Sequence, residues 1–163
     1  MTTVVNSSPL IKLAAIDSLD LLKSLFGVIH IPKAVHREVV VFGKGRPGAK
    51  AVAEAFWIKR HTVKDQRAVV DLMAVARLDQ GESEAIILAA ELKADILIID
   101  DARAREYART LQLRIVGTAG LLLSAKALKI IPSVQQPLDA LVRAGLYLDP
   151  RIYRAILKKA SEK

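Results

Sequence analysis

The run Ile96-Leu97-Ile98-Ile99, closed abruptly by Asp100-Asp101, constrains this chain more than any other feature. Its apolar residues do not alternate with polar ones, so both faces of the segment must be buried. A strand inside a parallel sheet reads this way, because helices cover the sheet on both sides. Further short strands are expected at Thr3-Val4-Val5, Val28–Ile31, Ile58–Val63 (an edge strand) and Arg114–Val116. Helical patterns separate them. Ser8 as N-cap with Pro9 at the first helical position opens Leu10–Ala15. Ser18 opens Leu19–Leu25, which Gly27 stops, and Pro32 opens a helix to about Val40. Helices then follow at Ala49–Phe56, Gln66–Ala76, Glu82–Leu92 after a break at Gly81, Ala102–Leu111 and Ala119–Leu128. Strands alternating with helices predict βαβ units and a parallel sheet.

After Ile130 the pattern changes. Two helices, about Val134–Ala144 and Pro150–Ala160, follow with no strand between them, and Ile152, Tyr153, Ile156 and Leu157 recur at helical spacing. Residues 1–130 are therefore predicted as an α/β domain and 131–163 as a helical extension packed on it. With 52% hydrophobic but only 4% aromatic residues, the core must be built from Ala, Val, Ile and Leu. The absence of Cys excludes disulfides and thiolate zinc sites. No leader is legible and no stretch reaches the ~18 apolar residues of a membrane helix, so a cytoplasmic protein is expected. A net charge of +8 favours polyanionic partners.

In open parallel sheets, ligands bind beyond the carboxyl ends of the strands. Asn6-Ser7-Ser8 and Asp100-Asp101 are expected there, and helices could add Glu38, Glu82 and Glu84. Carboxylates converging at a sheet edge are the hard oxygen ligands that Mg²⁺ or Mn²⁺ requires. Each acid also has a purely structural use. Asp100 or Asp101 could cap the next helix, Glu82 could favour the positive end of its own helix, and Glu38 could simply be solvated. Basic residues gather at Lys44, Arg46, Lys50, Lys59 and Arg60, and again at Arg103, Arg105, Arg109 and Arg114, as a groove tracking an RNA backbone would need. His30, His36 and His61 show no metal-ligand spacing. No Gly-x-Gly-x-x-Gly or P-loop follows a strand, which argues against a nucleotide-binding Rossmann domain.

Five segments in order resemble the PIN-domain family, and specifically an uncharacterised prokaryotic PIN-like family related to VapC-type toxins. They are Val4-Val5-Asn6-Ser7-Ser8-Pro9-Leu10-Ile11, the stretch from Ile31-Pro32 to Glu38-Val39, Leu78-Asp79-x-Gly81-Glu82-x-Glu84-Ala85-Ile86, Leu97-Ile98-Ile99-Asp100-Asp101-x-Arg103-Ala104-Arg105, and Gly117-Thr118-x-Gly120-Leu121-Leu122. The resemblance implies a three-layer α/β/α sandwich with a mostly parallel central sheet. It also implies an acid cluster binding Mg²⁺ or Mn²⁺ for endonucleolytic cleavage of single-stranded RNA. Position by position, the first acid falls on Asn6, the second on Glu38, the third on Glu84 or Glu82, and the last on Asp101 or Asp100. Ser8 matches a supporting hydroxyl, and Arg103 and Arg105 would hold the nucleic acid. A homodimer and a small antitoxin protein are the implied partners. Asn6 is neutral where active members usually carry Asp, and Arg103 stands where many carry a further acid. The alternative reading is thus a PIN-like module that binds nucleic acid or protein with little catalysis.

Overall fold

Strands β1 (Thr3–Val5), β2 (Ile29–Pro32), β3 (Ile58–His61), β4 (Ile96–Ile98) and β5 (Ile115–Val116) form one sheet in the computed structural model, which describes residues 1–163. Their order is β3-β2-β1-β4-β5 and every pairing is parallel. The expected apolar strand is central: Val4 pairs with Leu97 and Val5 with Ile98. Because side chains alternate across a strand, the two faces receive different sets. Val5, Ile29, Ile31, Ile96 and Ile98 join one core cluster, and Val4, Leu97 and Ile99 join the other.

Helices seal each face. On the first lie α1 (Ser7–Ala15), α2 (Asp20–Phe26), α4 (Ala49–Glu54), α8 (Thr118–Ala127), α9 (Gln135–Arg143) and α10 (Pro150–Lys159), through Leu10, Leu13, Leu22, Val52, Leu121, Leu138 and Leu157. On the second lie α5 (Gln66–Ala76), α6 (Gln80–Glu91) and α7 (Ala102–Thr110), through Val69, Leu72, Ile86, Leu88, Ala104 and Ala108. This is a three-layer α/β/α sandwich with an all-parallel sheet. No helix is long and apolar enough to cross a membrane.

Three local departures from the sequence reading matter for the site. The first helix starts at Ser7, with Asn6 at the N-cap position and Pro9 inside the first turn, so Ser8 does not cap it. Gly81 lies within α6 instead of breaking the chain before it, because Asp79 supplies the cap. The helix expected from Pro32 to Val40 divides into α3 (Lys33–His36) and a π-helical turn, Arg37–Val41, in which the Phe42 N–H donates to the Arg37 carbonyl at 2.9 Å. Gly43 permits that closure: a Cβ there would collide with the Val39 carbonyl oxygen.

The C-terminal helices are fastened by Glu162. Its Oε2 accepts from Lys126 Nζ and the Val134 N–H, both at 2.8 Å, and its Oε1 accepts from Ser133 Oγ at 2.8 Å and the Gln135 N–H at 3.1 Å. These donors, led by Lys126, hold the carboxyl at a pKa of about 2, against an ordinary 4.5. The histidines gather at the β2–β3 end of the sheet, where His30 Nδ1 and His61 Nε2 share a proton at 2.8 Å. Burial and then His61 lower the pKa of His30, while burial and then Arg60 lower that of His36.

Two outcomes follow from these contacts. Gly43→Ala should cost roughly 1–3 kcal/mol, as overpacking against backbone does, in a urea melt. Thermal melts across pH should show two windows. A depressed histidine pKa means that the unfolded chain takes up the proton first, so stability should begin to fall as pH drops below 6.5. The contribution of Glu162 is complete above pH 4.5 and is lost towards pH 2. Glu162→Gln should accordingly lower the melting temperature by several degrees at pH 7, and the gap from the native protein should close at the acid end.

Candidate functional site

β1 lies between β2 and β4, so the chain leaves it in one direction for β2 and reaches the other neighbour only after two further crossovers. Such a switch of direction opens a crevice above the carboxyl ends of the two central strands. Asn6 stands at that point. Its N–H donates to the Ile98 carbonyl at 3.0 Å and so extends the β1–β4 pairing. Its side chain occupies the cap position of α1 but makes no capping bond. The residue is 3% exposed, and Oδ1 has no hydrogen-bond partner. Leaving a buried carbonyl oxygen unpaired costs about 1–3 kcal/mol, which makes it a group held for a ligand.

The N-terminus of α6 faces Asn6. Asp79 Oδ1 accepts from the Glu82 N–H at 2.7 Å, and Glu82 Oε2 accepts from the Asp79 N–H at 3.0 Å, forming a capping box. This reciprocal cap fixes the first turn and brings Gly81 against the crevice. A Cβ on Gly81 would lie 3.4 Å from Glu38 Oε1, 3.5 Å from Asp79 Oδ1 and 3.8 Å from Asn6 Oδ1. Oxygens from β1, the π-turn and the α6 cap thus meet over one small residue. Glu84 is three residues on, on the same helix face. Its Oε1 accepts from the Ala34 N–H at 3.3 Å and its Oε2 from Gln80 Nε2 at 2.9 Å. It is 4% exposed and joins no ion pair. Buried carboxylates are normally paired or bound to a cation, so this charge awaits one.

Glu82 points the other way, towards α7. Burial raises its pKa first; its hydrogen bond to the Asp79 backbone opposes that, and the negative charges of Asp79, Asp101 and Glu38 raise it further. The acids are therefore within one another's fields with no cation between them. Asp101 is exposed and caps α7, its Oδ1 accepting from the Ala104 N–H at 2.8 Å. Asp100 is committed elsewhere. Its Oδ1 accepts from the Thr118 N–H at 2.7 Å, and its Oδ2 accepts from Thr118 Oγ1 at 2.6 Å and from Lys12 Nζ at 3.3 Å. Arg105 lies beside it against Gly117.

A cleft of about 440 Å³ continues from the acids, lined by Glu82 and Asp101 together with Arg77, Leu78, Arg103 and Glu106. Arg103 is anchored by a 3.3 Å bond to the Arg77 carbonyl. Ser8 is half-buried in the first turn of α1, next to Asn6. Among the sequence candidates, Asn6, Glu38, Glu82, Glu84, Asp101 and Arg103 share this crevice, while Asp100 and Arg105 stand to its β5 side. No three acids are yet drawn close enough to form a ready-made cage. Like charges splay when nothing neutralises them. The donor chemistry still fits a hard divalent ion: an unpartnered amide oxygen, a buried unpaired carboxylate and two further acids whose fields overlap.

Sequence reasoning missed three contributors. Asp79 is legible as the first residue of the Asp-x-x-Glu cap. Arg77 and Lys12 carry no local signal, because only the fold brings them to the crevice.

An all-parallel sandwich with acids crowded at its switch point describes a class of α/β proteins built for phosphate chemistry. Within that class, the family model described as a PIN domain matches residues 2–162, and the chain belongs to that family. No curated protein matches it. Among solved structures, it is similar to a PilT N-terminus domain protein from the hyperthermophilic archaeon Sulfolobus solfataricus P2. That chain is 24% identical, with a TM-score of 0.58 over 77% of this chain and 93% of the other. At that identity the likeness speaks for the fold.

Proposed function

We propose that this protein is a divalent-metal-dependent endonuclease of single-stranded RNA. In this reading Glu38, Glu84 and Asp101, with the amide oxygen of Asn6, hold Mg²⁺ or Mn²⁺. The observation that carries it is the pairing of an orphaned Asn6 Oδ1 with a buried Glu84 that has no counter-charge, on either side of Gly81. A bound divalent ion would supply the positive charge that acidifies a water and offsets charge developing on the phosphate. The chain's own residues do the rest. Asn6 and Glu84 form a rigid, dry floor. Glu82, whose pKa is raised, is the carboxyl most ready to carry a proton at the edge of the crevice. Arg77 and Arg103 line the cleft beside it and suit a phosphate, which guanidinium groups grip in a fork. The net charge of +8 draws the polyanion in.

One observation favours a second reading. Asn6 removes a negative charge from the crevice, and Lys12 neutralises another at Asp100. A PIN-like module that binds nucleic acid or protein without turnover would tolerate both.

Calorimetric titration of Mn²⁺ into the native protein tests the metal site, repeated with Glu38→Gln, Glu84→Gln and Asp101→Asn. Saturable heat in the native protein, reduced at least roughly tenfold in affinity by each substitution, is the expected result. No heat at millimolar Mn²⁺, with no Mn²⁺-dependent scission of single-stranded RNA, would sink the nuclease reading. Asn6→Asp restores the missing charge and should tighten Mn²⁺ by about tenfold, with faster RNA cleavage. Should that variant bind the ion and RNA yet cleave nothing, the binding-module reading takes its place.

A further inference from the structure

We infer that Phe42 is a stacking platform for one base of a single strand lying across the acid crevice; this rests on the RNA reading above. Phe42 is 73% exposed, on the segment that carries Glu38. Residues four apart share a helix face, so Ala34, Glu38 and Phe42 form one stripe. Two contacts fix where that stripe runs. The Ala34 N–H meets Glu84 Oε1 at 3.3 Å, and Glu38 Oε1 lies 3.4 Å from the Cβ position of Gly81. One step along the stripe therefore moves three residues towards the N-terminus of α6. The next step carries Phe42 beyond the first turn of α6, where no helix covers it. Burial follows the same course: Ala34 is buried, Glu38 half-buried and Phe42 exposed. The ring thus projects past the acids on the face from which Glu38 reaches them.

The surroundings identify the occupant. Lys44, Arg46 and Lys50 follow Phe42 and are exposed, so an anion is the complementary partner. A flat aromatic face beside cations accepts a polymer that offers both bases and phosphates. A duplex keeps its base faces stacked inside and cannot use the ring, whereas a single strand can.

The test is binding, measured in EDTA so that turnover plays no part. The probe is a short single-stranded oligoribonucleotide containing 2-aminopurine, beside a hairpin of the same length. Phe42→Ala should bind the single strand roughly tenfold more weakly than native, with hairpin binding unchanged. It should also lose the quenching of 2-aminopurine that stacking causes, and Phe42→Trp should restore both. Equal binding and equal quenching in Phe42→Ala and native would overturn the platform while leaving the nuclease reading intact. Absence of RNA binding by the native protein, at any concentration up to solubility, would overturn both. Loss of self-association in sedimentation, with RNA binding unaltered by Phe42→Ala, would assign the ring to an interface between copies and overturn the inference.

Discussion

The pairing of β1 with β4 is the constraint on which the rest depends. Each strand is three residues long, and Thr3, Val4 and Val5 lie opposite Ile96, Leu97 and Ile98 with no offset. Neighbouring strands sit about 4.8 Å apart, so chain ends leaving this pair are held together without further help. Every side chain of the pair is buried, and the apolar ones divide between two separate cores. Neither strand can slip by one residue without turning both cores inside out. A rigid register in the apolar middle thereby becomes a fixed geometry for the polar residues at its end. Asn6 continues the ladder through its backbone, which leaves its amide free for the crevice.

Electrostatics work against the fold at that same place. Glu38, Glu82 and Asp101 repel one another, and Glu84 carries its charge into the interior with only neutral donors for company. The protein resolves this tension at one acid, Asp100, with an ammonium and a threonine, and leaves it standing at the others. An arrangement that satisfies one carboxylate fully and its neighbours hardly at all separates a structural acid from acids kept for a ligand. The edges of the sheet are handled differently. β3 is an outer strand, and exposed Lys59 and Arg60 on it discourage pairing with another sheet edge.

Much of the architecture was legible because burial on both faces leaves an unmistakable apolar run, and Ile96 to Ile99 provides one. The C-terminal helices were legible for a similar reason, since Ile156 and Leu157 belong to a stripe that reaches the main core. The site was legible as a set of candidates but not as an arrangement. Sequence could not separate Glu82 from Glu84 or Asp100 from Asp101. A step of one or two residues around a turn changes which neighbours a side chain meets, and only packing decides that. Pro9 suggested a cap at Ser8, yet β1 ends so abruptly that the helix begins two residues earlier, at Ser7. The π-turn had no signal beyond a glycine in a loop already rich in glycine, because its cause is a backbone approach between Gly43 and Val39.

That π-turn has a consequence for how the sequence can change length. A π-turn holds one more residue between hydrogen-bonded groups than an α-turn does. Losing a single residue between Arg37 and Val41 would let the helix relax to ordinary winding, with little cost to the core beneath. Everything after the deletion, however, would be turned by roughly a quarter of a revolution about the helix axis. The aromatic ring and the basic loop behind it would then face away from the acids, in a protein that still folds. Indel tolerance and functional tolerance therefore part company in this one turn, where stability alone would give no warning.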